Sequence, residues 1–142
     1  MFMGEYNHTI DPKGRLIVPN KFREQLGEAF VVAIGNDGCL AFYTNESWKD
    51  LITKIQALPA NEKIRNYVRI VIGSSDTLVT DKQGRVLIPG KLREHAGLEK
   101  DVVLVGVIDK IEVWDKKKYE EQTDIDNIDD IAEKMAELGF SI

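Results

Sequence analysis

This chain repeats itself, and the repeat limits what it can fold into more than any other feature. Asp11-Pro-Lys-Gly-Arg-Leu-Ile-Val-Pro-Asn-Lys-Phe-Arg-Glu-Gln-Leu-Gly27 returns as Asp81-Lys-Gln-Gly-Arg-Val-Leu-Ile-Pro-Gly-Lys-Leu-Arg-Glu-His-Ala-Gly97, with eight of 17 positions identical at a fixed offset of 70. The identities fall on Asp11/Asp81, Gly14/Gly84, Arg15/Arg85, Pro19/Pro89, Lys21/Lys91, Arg23/Arg93, Glu24/Glu94 and Gly27/Gly97. Between them Leu16/Val86, Ile17/Leu87 and Val18/Ile88 exchange one apolar side chain for another. With one residue of slippage the likeness runs on, from Phe30–Gly35 to residues 101–106 and from Leu40–Thr44 to Ile111–Asp115. A supersecondary unit that recurs in this way implies two copies of one structural module.

Within each copy the local signals predict a small β-rich unit. A polar strand (residues 6–10; 77–80) meets a turn built on Asp11-Pro12-Lys13-Gly14 or Asp81-Lys82-Gln83-Gly84, where aspartate can hold the turn and glycine can take positive φ. The natural expectation is a hairpin whose second strand is residues 15–18 or 85–88, stopped by Pro19 or Pro89 because proline has no ladder donor. Two-turn helices follow at 20–26 and 90–96, with Gly27 and Gly97 suited to left-handed C-caps. Two further strands turn at Asn36-Asp37-Gly38 and at Ile108-Asp109-Lys110. The connection is helical: Asn45 or Ser47 can cap a helix through Leu58, Pro59 stops it, and a second helix runs from Asn61 into Val71. Residues 116–122 suit a short helix. In the acidic tail Ile128, Ile131, Met135 and Leu138 recur every three or four residues, as in a docking helix or a disordered segment. The resulting division is a first module with its trailing helix at 1–58, a helical linker at 59–74, a second module at 75–122 and the tail at 123–142.

Charge at first opposes a nucleic-acid partner. The 19 Lys and Arg against 24 Asp and Glu leave a net charge of -5 over 142 residues, whereas such binders usually carry excess positive charge. The imbalance is local: residues 120–142 hold one lysine and eight acids, while residues 1–119 hold 18 basic and 16 acidic groups. Screening acts over ~8–10 Å, so the placement of Lys and Arg around the repeated turns matters more than the total. One cysteine, Cys39, and two histidines, His8 and His95, supply neither a disulfide nor a metal site. No secretory signal opens the chain, and no apolar run approaches the ~20 residues that span a bilayer. A cytoplasmic protein without cofactor is expected.

Enzymatic templates fit poorly. There is no Gly-x-Ser-x-Gly setting, no Walker lysine loop and no Gly-x-Gly-x-x-Gly after a strand. Asp11 to Arg15 and Asp81 to Arg85 are different, because a charged pair is kept beside a tight turn while neighbouring residues drift. The aspartates can bind backbone N–H groups and organise the turns with Gly14 and Gly84. The arginines can serve as ion-pair partners or as forks that grip phosphate or bind guanine bidentately. Lys13, Lys82, Lys21, Lys91, Arg23 and Arg93 surround them as further candidate phosphate contacts.

Taken together, Met1-Phe-Met-Gly-Glu5, the tandem Asp11-x-x-Gly-Arg-x-x-x-Pro19 and Asp81-x-x-Gly-Arg-x-x-x-Pro89, and Val105-Gly-x-x-x-Lys-Ile-Glu-x-Trp114 resemble the MraZ family of bacterial transcriptional regulators. The resemblance spans residues 1 to about 122. It implies an α+β, mainly β architecture of two tandem swapped-hairpin (double-ψ) SpoVT–AbrB-type β-barrel modules fused in one chain, and assembly into a homo-oligomeric ring. It also implies binding of double-stranded DNA at promoter direct repeats, with repression of a division and cell-wall gene cluster containing the protein's own gene, and a nucleoid-associated location. The positions carried over are Arg15 and Arg85, with Asp11 and Asp81 as organisers. The second motif departs from the first in having Gln83 where Lys13 stands, with Lys82 one position earlier, so the halves need not contact DNA equivalently. The other readings are a ring scaffold for a protein partner and a toxin-neutralising regulator of the same fold class; the tandem copy speaks against the latter.

Overall fold

The computed structural model describes residues 1–141. In chain order the elements of the first half are β1 (Phe2–Thr9), β2 (Arg15–Ile17), α1 (Asn20–Leu26), β3 (Ala29–Ile34), β4 (Leu40–Tyr43), α2 (Asn45–Gln56) and α3 (Glu62–Tyr67). The second half follows with β5 (Asp76–Val79), β6 (Arg85–Leu87), α4 (Gly90–Ala96), β7 (Asp101–Ile108), β8 (Ile111–Asp115), α5 (Lys116–Gln122) and α6 (Ile128–Glu137). The protein is α+β. Its sheets are a six-stranded antiparallel one, ordered β1-β7-β8-β4-β3-β5, and a two-stranded one, β2-β6.

That order shows how the repeats are joined. β1 of the first repeat lies not beside its own β3 but along β7, from Phe2 opposite Ile108 to Thr9 opposite Asp101. Reciprocally, β5 of the second repeat lies along β3, from Asp76 opposite Val32 to Val79 opposite Ala29. The central contact is β4 on β8, with Leu40 opposite Val113 and Phe42 opposite Ile111. Each repeat therefore donates its first strand to the sheet of the other, about a pseudo-twofold axis between β4 and β8. The expected local hairpin of β1 with β2 is absent: only the Ile10–Leu16 bridge links them, and β2 pairs instead with β6. A three-residue strand cut short by proline has few ladder bonds to offer its neighbour, and its buried face is completed by the equivalent strand of the other repeat.

One apolar cluster fills the space between the two sheets and the short helices. Leu16, Val18, Phe22, Phe30, Leu40, Phe42, Ile88, Leu104 and Ile111 are fully buried and belong to it, as do Val86 and Leu92. Phe22 of α1 presents its ring edge-on to Tyr6 at 5.1 Å and to Phe2 at 6.1 Å, so the helix is held against the donated strand. Phe30 and Phe42 meet across β3 and β4 with ring centroids 4.9 Å apart and planes tilted by 56°. A smaller cluster of Cys39, Val103 and Trp114, with Tyr119 of α5 against it, is separate from this core. Burial and the charge of Glu112 push the Cys39 thiol up to about 12, so it is an unreactive packing residue.

Local chemistry explains the boundaries. α2 is capped by Thr44, whose hydroxyl accepts from Ser47 N at 3.0 Å; Asn45, one of the expected caps, instead donates its side-chain amide to Ala29 O. Asn61 caps α3 by accepting from Ile64 N, and the helix then widens into a π turn over Val68–Ile72. Gly97 closes α4 in the left-handed conformation, but Gly27 combines φ 82° with ψ -178° and sends the chain straight into β3. No described helix is long and apolar enough to cross a membrane. The tail forms α6, with no buried residue; its Ile128, Ile131 and Met135 and the following Leu138 remain exposed.

Phe22→Ala removes a fully buried ring that both the core and β1 touch, so it is expected to lower unfolding free energy by about 3–5 kcal/mol. Removing residues 123–142, none of whose described members is itself buried, is expected to change the denaturation midpoint of the remainder little. Chemical denaturation followed by circular dichroism measures both.

Candidate nucleic-acid interface

The two repeated turns have the same internal wiring. In the first, Asp11 Oδ1 accepts from Lys13 N at 3.0 Å and Arg15 N at 2.9 Å, while Oδ2 accepts from Arg15 Nε at 2.6 Å. In the second, Asp81 Oδ1 accepts from Gln83 N and Arg85 N, and Oδ2 from Arg85 Nε, all at 2.9 Å. Main-chain bonds close each loop: Gly14 N to Asp11 O and Asp11 N to Arg15 O, repeated as Gly84 N to Asp81 O and Asp81 N to Arg85 O. A carboxylate that accepts this many N–H groups is stabilised in its charged form. Hydrogen bonds from Arg15 N and its guanidinium therefore hold Asp11 down to about 2, against partial desolvation, and Arg85 lowers Asp81 in the same way.

Each aspartate occupies only the Nε edge of its arginine. The Nη groups of Arg15 and Arg85 bond to no other described residue, and both side chains stay partly exposed. The result is a guanidinium held at Nε by its aspartate, with both Nη groups left without a partner among the described residues. That arrangement suits planar recognition of a phosphate or a guanine edge.

Pairing of β2 with β6 puts the arginines on one surface. Arg15 lies opposite Leu87, Leu16 opposite Val86, and Ile17 opposite Arg85. Strand alternation turns Leu16 and Val86 into the core, fully buried, and leaves Arg15, Ile17, Arg85 and Leu87 on the outer face. Lys13, Arg15, Asp81, Arg85 and Leu87 line a shallow depression of about 400 Å³ on this face. Arg23 and Lys82 instead meet at a second depression, with Asp81 and Glu28. Lys21 and Lys91 are exposed on the first turns of α1 and α4 and line neither.

Arg23 and Arg93 occupy a position the sequence concealed. Arg23 Nε donates to Val18 O at 2.9 Å and Arg93 Nε to Ile88 O at 3.0 Å, within their own repeats. Their guanidinium groups, however, cover the turn of the opposite repeat: a Cβ on Gly14 would lie 2.5 Å from Arg93 Nε, and one on Gly84 would lie 2.8 Å from Arg23 Cζ. Val18 N donates to Gly84 O and Ile88 N to Gly14 O, both at 2.9 Å, so each turn is also bonded across the axis. Both glycines have positive φ, 94° and 78°. Glycine is thus required twice over, by its own backbone and by the arginine above it. The outward Ile17 and Leu87 were also missed as surface residues; alternation from the buried Leu16 and Val86 is the signal that finds them.

Among the described residues no group of three or more His, Cys, Asp and Glu is placed to hold a metal ion. What the two turns present together is a duplicated, directional pair of cations on a two-stranded ribbon. Comparison with known proteins accords with that duplication. The family model described as "MraZ protein, putative antitoxin-like" matches residues 1–69 and again residues 72–138. The chain belongs to the MraZ family. A Transcriptional regulator MraZ from Lachnoclostridium phytofermentans is 53% identical over 141 residues, covering 99% of both chains. Proteins of the same name from Acetivibrio thermocellus and Ligilactobacillus salivarius are 50% and 53% identical over 143 residues, covering 99% of this chain and 100% of theirs. The MraZ-family match counts the repeat twice along the chain, while the fold interleaves the two copies in space.

Two outcomes test this wiring. Because the folded-state carboxyls titrate lower than unfolded ones, their charged forms stabilise the fold at higher pH; the Asp11 contribution is lost as pH falls from 3.8 through about 2, and that of Asp81 is lost likewise as pH falls below the ordinary carboxylate range. An Asp11→Asn, Asp81→Asn variant is expected to be less stable at neutral pH and to show a flatter acid limb in a pH series of denaturation midpoints. Gly14→Ala is expected to cost more than about 1 kcal/mol, and adding Arg93→Ala is expected to recover the steric part of that loss, measured as a double-mutant cycle.

Proposed function

We propose that this protein is a sequence-specific, DNA-binding transcriptional regulator that works without a cofactor. The observation that carries the reading is the pair of aspartate-braced arginines, Arg15 and Arg85, on the open face of the β2–β6 ribbon. A two-stranded ribbon fits the major groove, and an arginine with two free donors can bind guanine O6 and N7 together. Lys13 and Lys82 at the turn tips, with Lys21 and Lys91 farther out and the remaining donors of Arg23 and Arg93, supply phosphate contacts that set register and carry no sequence information. Relatives named as transcriptional regulators, alike over nearly their whole length, support the same function.

One ribbon makes few contacts, so the reading includes assembly. A homo-oligomeric ring would present the face repeatedly, and neighbouring subunits would engage successive direct repeats of a promoter, raising avidity by about 10²–10⁴ where the spacing fits. The proposed target is the DNA upstream of the protein's own division and cell-wall gene cluster, with repression as the outcome and the nucleoid as the place of action. The exposed apolar stripe of α6 favours a second reading, a scaffold whose tail binds a protein partner.

A gel shift on the DNA upstream of this protein's gene separates the two. Arg15→Ala and Arg85→Ala are each expected to cost about 1–3 kcal/mol of binding while leaving the assembly's mass unchanged. Affinity is expected to fall with salt at a log–log slope of about -0.9 for each phosphate neutralised. Retention by both variants overturns the assignment of the arginines; no binding by the wild type at low salt leaves the scaffold.

A further inference from the structure

The outer face of the β2–β6 ribbon carries four side chains, and only two of them are charged. Ile17 and Leu87 are 43% and 58% exposed there, on strands that have just two outward positions each. Each stands directly across the ladder from an arginine, Ile17 from Arg85 and Leu87 from Arg15. The face is therefore a checkerboard: an arginine beside an apolar side chain, then the same pair reversed by the pseudo-twofold axis. Solvent does not ask for branched apolar groups at these positions, and the repeats exchange isoleucine for leucine there without admitting a polar residue.

We infer that Ile17 and Leu87 are specificity-determining residues that pack on thymine C5-methyl groups, each next to a guanine held by the neighbouring arginine. The inference rests on the DNA-binding reading above and goes further in naming what is read. In the major groove the thymine methyl is the one apolar feature a base pair presents, and apolar side chains recognise it. Directly opposed residues on an antiparallel pair have Cβ atoms about 4.5–5.5 Å apart, from which a long arginine and a branched apolar side chain can reach bases one ~3.4 Å step apart on a strand. An arginine and its apolar neighbour thus address adjacent bases. The second pair, displaced about 6.7 Å along the strands and so across the direction of that separation, repeats the arrangement in the reverse sense. The face accordingly reads two short guanine–thymine steps of opposite sense. Asp11 and Asp81 support this by holding each guanidinium at Nε, so the arginine does not fold over its apolar neighbour.

The test removes the methyl and nothing else. The full-length protein is titrated by fluorescence anisotropy with the duplex upstream of its gene, made either with thymine or with uracil at every thymine position. Wild type is expected to bind the uracil duplex weaker by about fourfold for each methyl contacted, the equivalent of ~0.8 kcal/mol per buried carbon. Ile17→Ala with Leu87→Ala, both at exposed sites, is expected to keep the fold by circular dichroism, to bind the thymine duplex more weakly, and to lose the thymine–uracil difference. Equal wild-type affinity for both duplexes overturns the inference while leaving the DNA-binding reading intact. A double variant that keeps the thymine preference also overturns it, and if that variant changes the assembly's mass, the two side chains belong to a contact between copies. Binding of neither duplex by wild type overturns the DNA-binding reading and this inference together.

Discussion

The ladder between Arg15–Ile17 and Arg85–Leu87 holds only three residue pairs, yet both repeated turns depend on it. A two-stranded sheet this short has little stability of its own, and four contacts flank it. Val18 and Ile88 donate to the carbonyls of Gly84 and Gly14 across the axis, and Arg23 and Arg93 cover those same glycines. Each turn is thus shaped by its own aspartate and clamped by the opposite repeat. Because the clamp reaches the residue immediately before each outward arginine, a loosened interface between repeats would also misdirect the arginines.

Burial of Leu16 and Val86 is what commits the ribbon to one face outward. With those two side chains in the core, strand alternation leaves no freedom over where Arg15, Ile17, Arg85 and Leu87 point. Fold and candidate function are therefore the same constraint seen from two sides. The core decides the register, and the register decides the surface. The acidic tail lies outside this arrangement: α6 buries none of its residues, and its negative charge is carried by a helix distinct from the ribbon.

Much of this was legible in the sequence because the repeat marks its own important positions. The helices at 20–26 and 90–96, the turns at Asp11 and Asp81, and the roles of Gly14 and Gly84 follow from residue types whose local chemistry is strong. Strand pairing was not legible by the same route. The residues of β1 and β2 are compatible with a hairpin, and nothing within either repeat says that β1 prefers β7 or that β2 prefers β6; that preference arises from core completion across 70 residues of chain, and only the family resemblance pointed to swapping. Arg23 and Arg93 were legible as repeated cations but not as clamps, since a guanidinium that bonds its own repeat at Nε and covers the other repeat with its plane leaves no mark in spacing. The cap of α2 is Thr44, one residue before the expected Asn45, which lies inside the helix and donates its side-chain amide to Ala29 O.

Interleaving also changes what it would mean to cut this chain. In a string of two beads, cleavage of the connection between α2 and α3 would release two bodies. Here a nick beside Pro59 or Ala60 would leave the first fragment's β1 registered along eight residues of β7, and the second fragment's β5 along four residues of β3. The halves would stay threaded through each other with the whole core between them. The linker is thus not the main tie between the two copies, since the exchanged strands and the shared core join them as well.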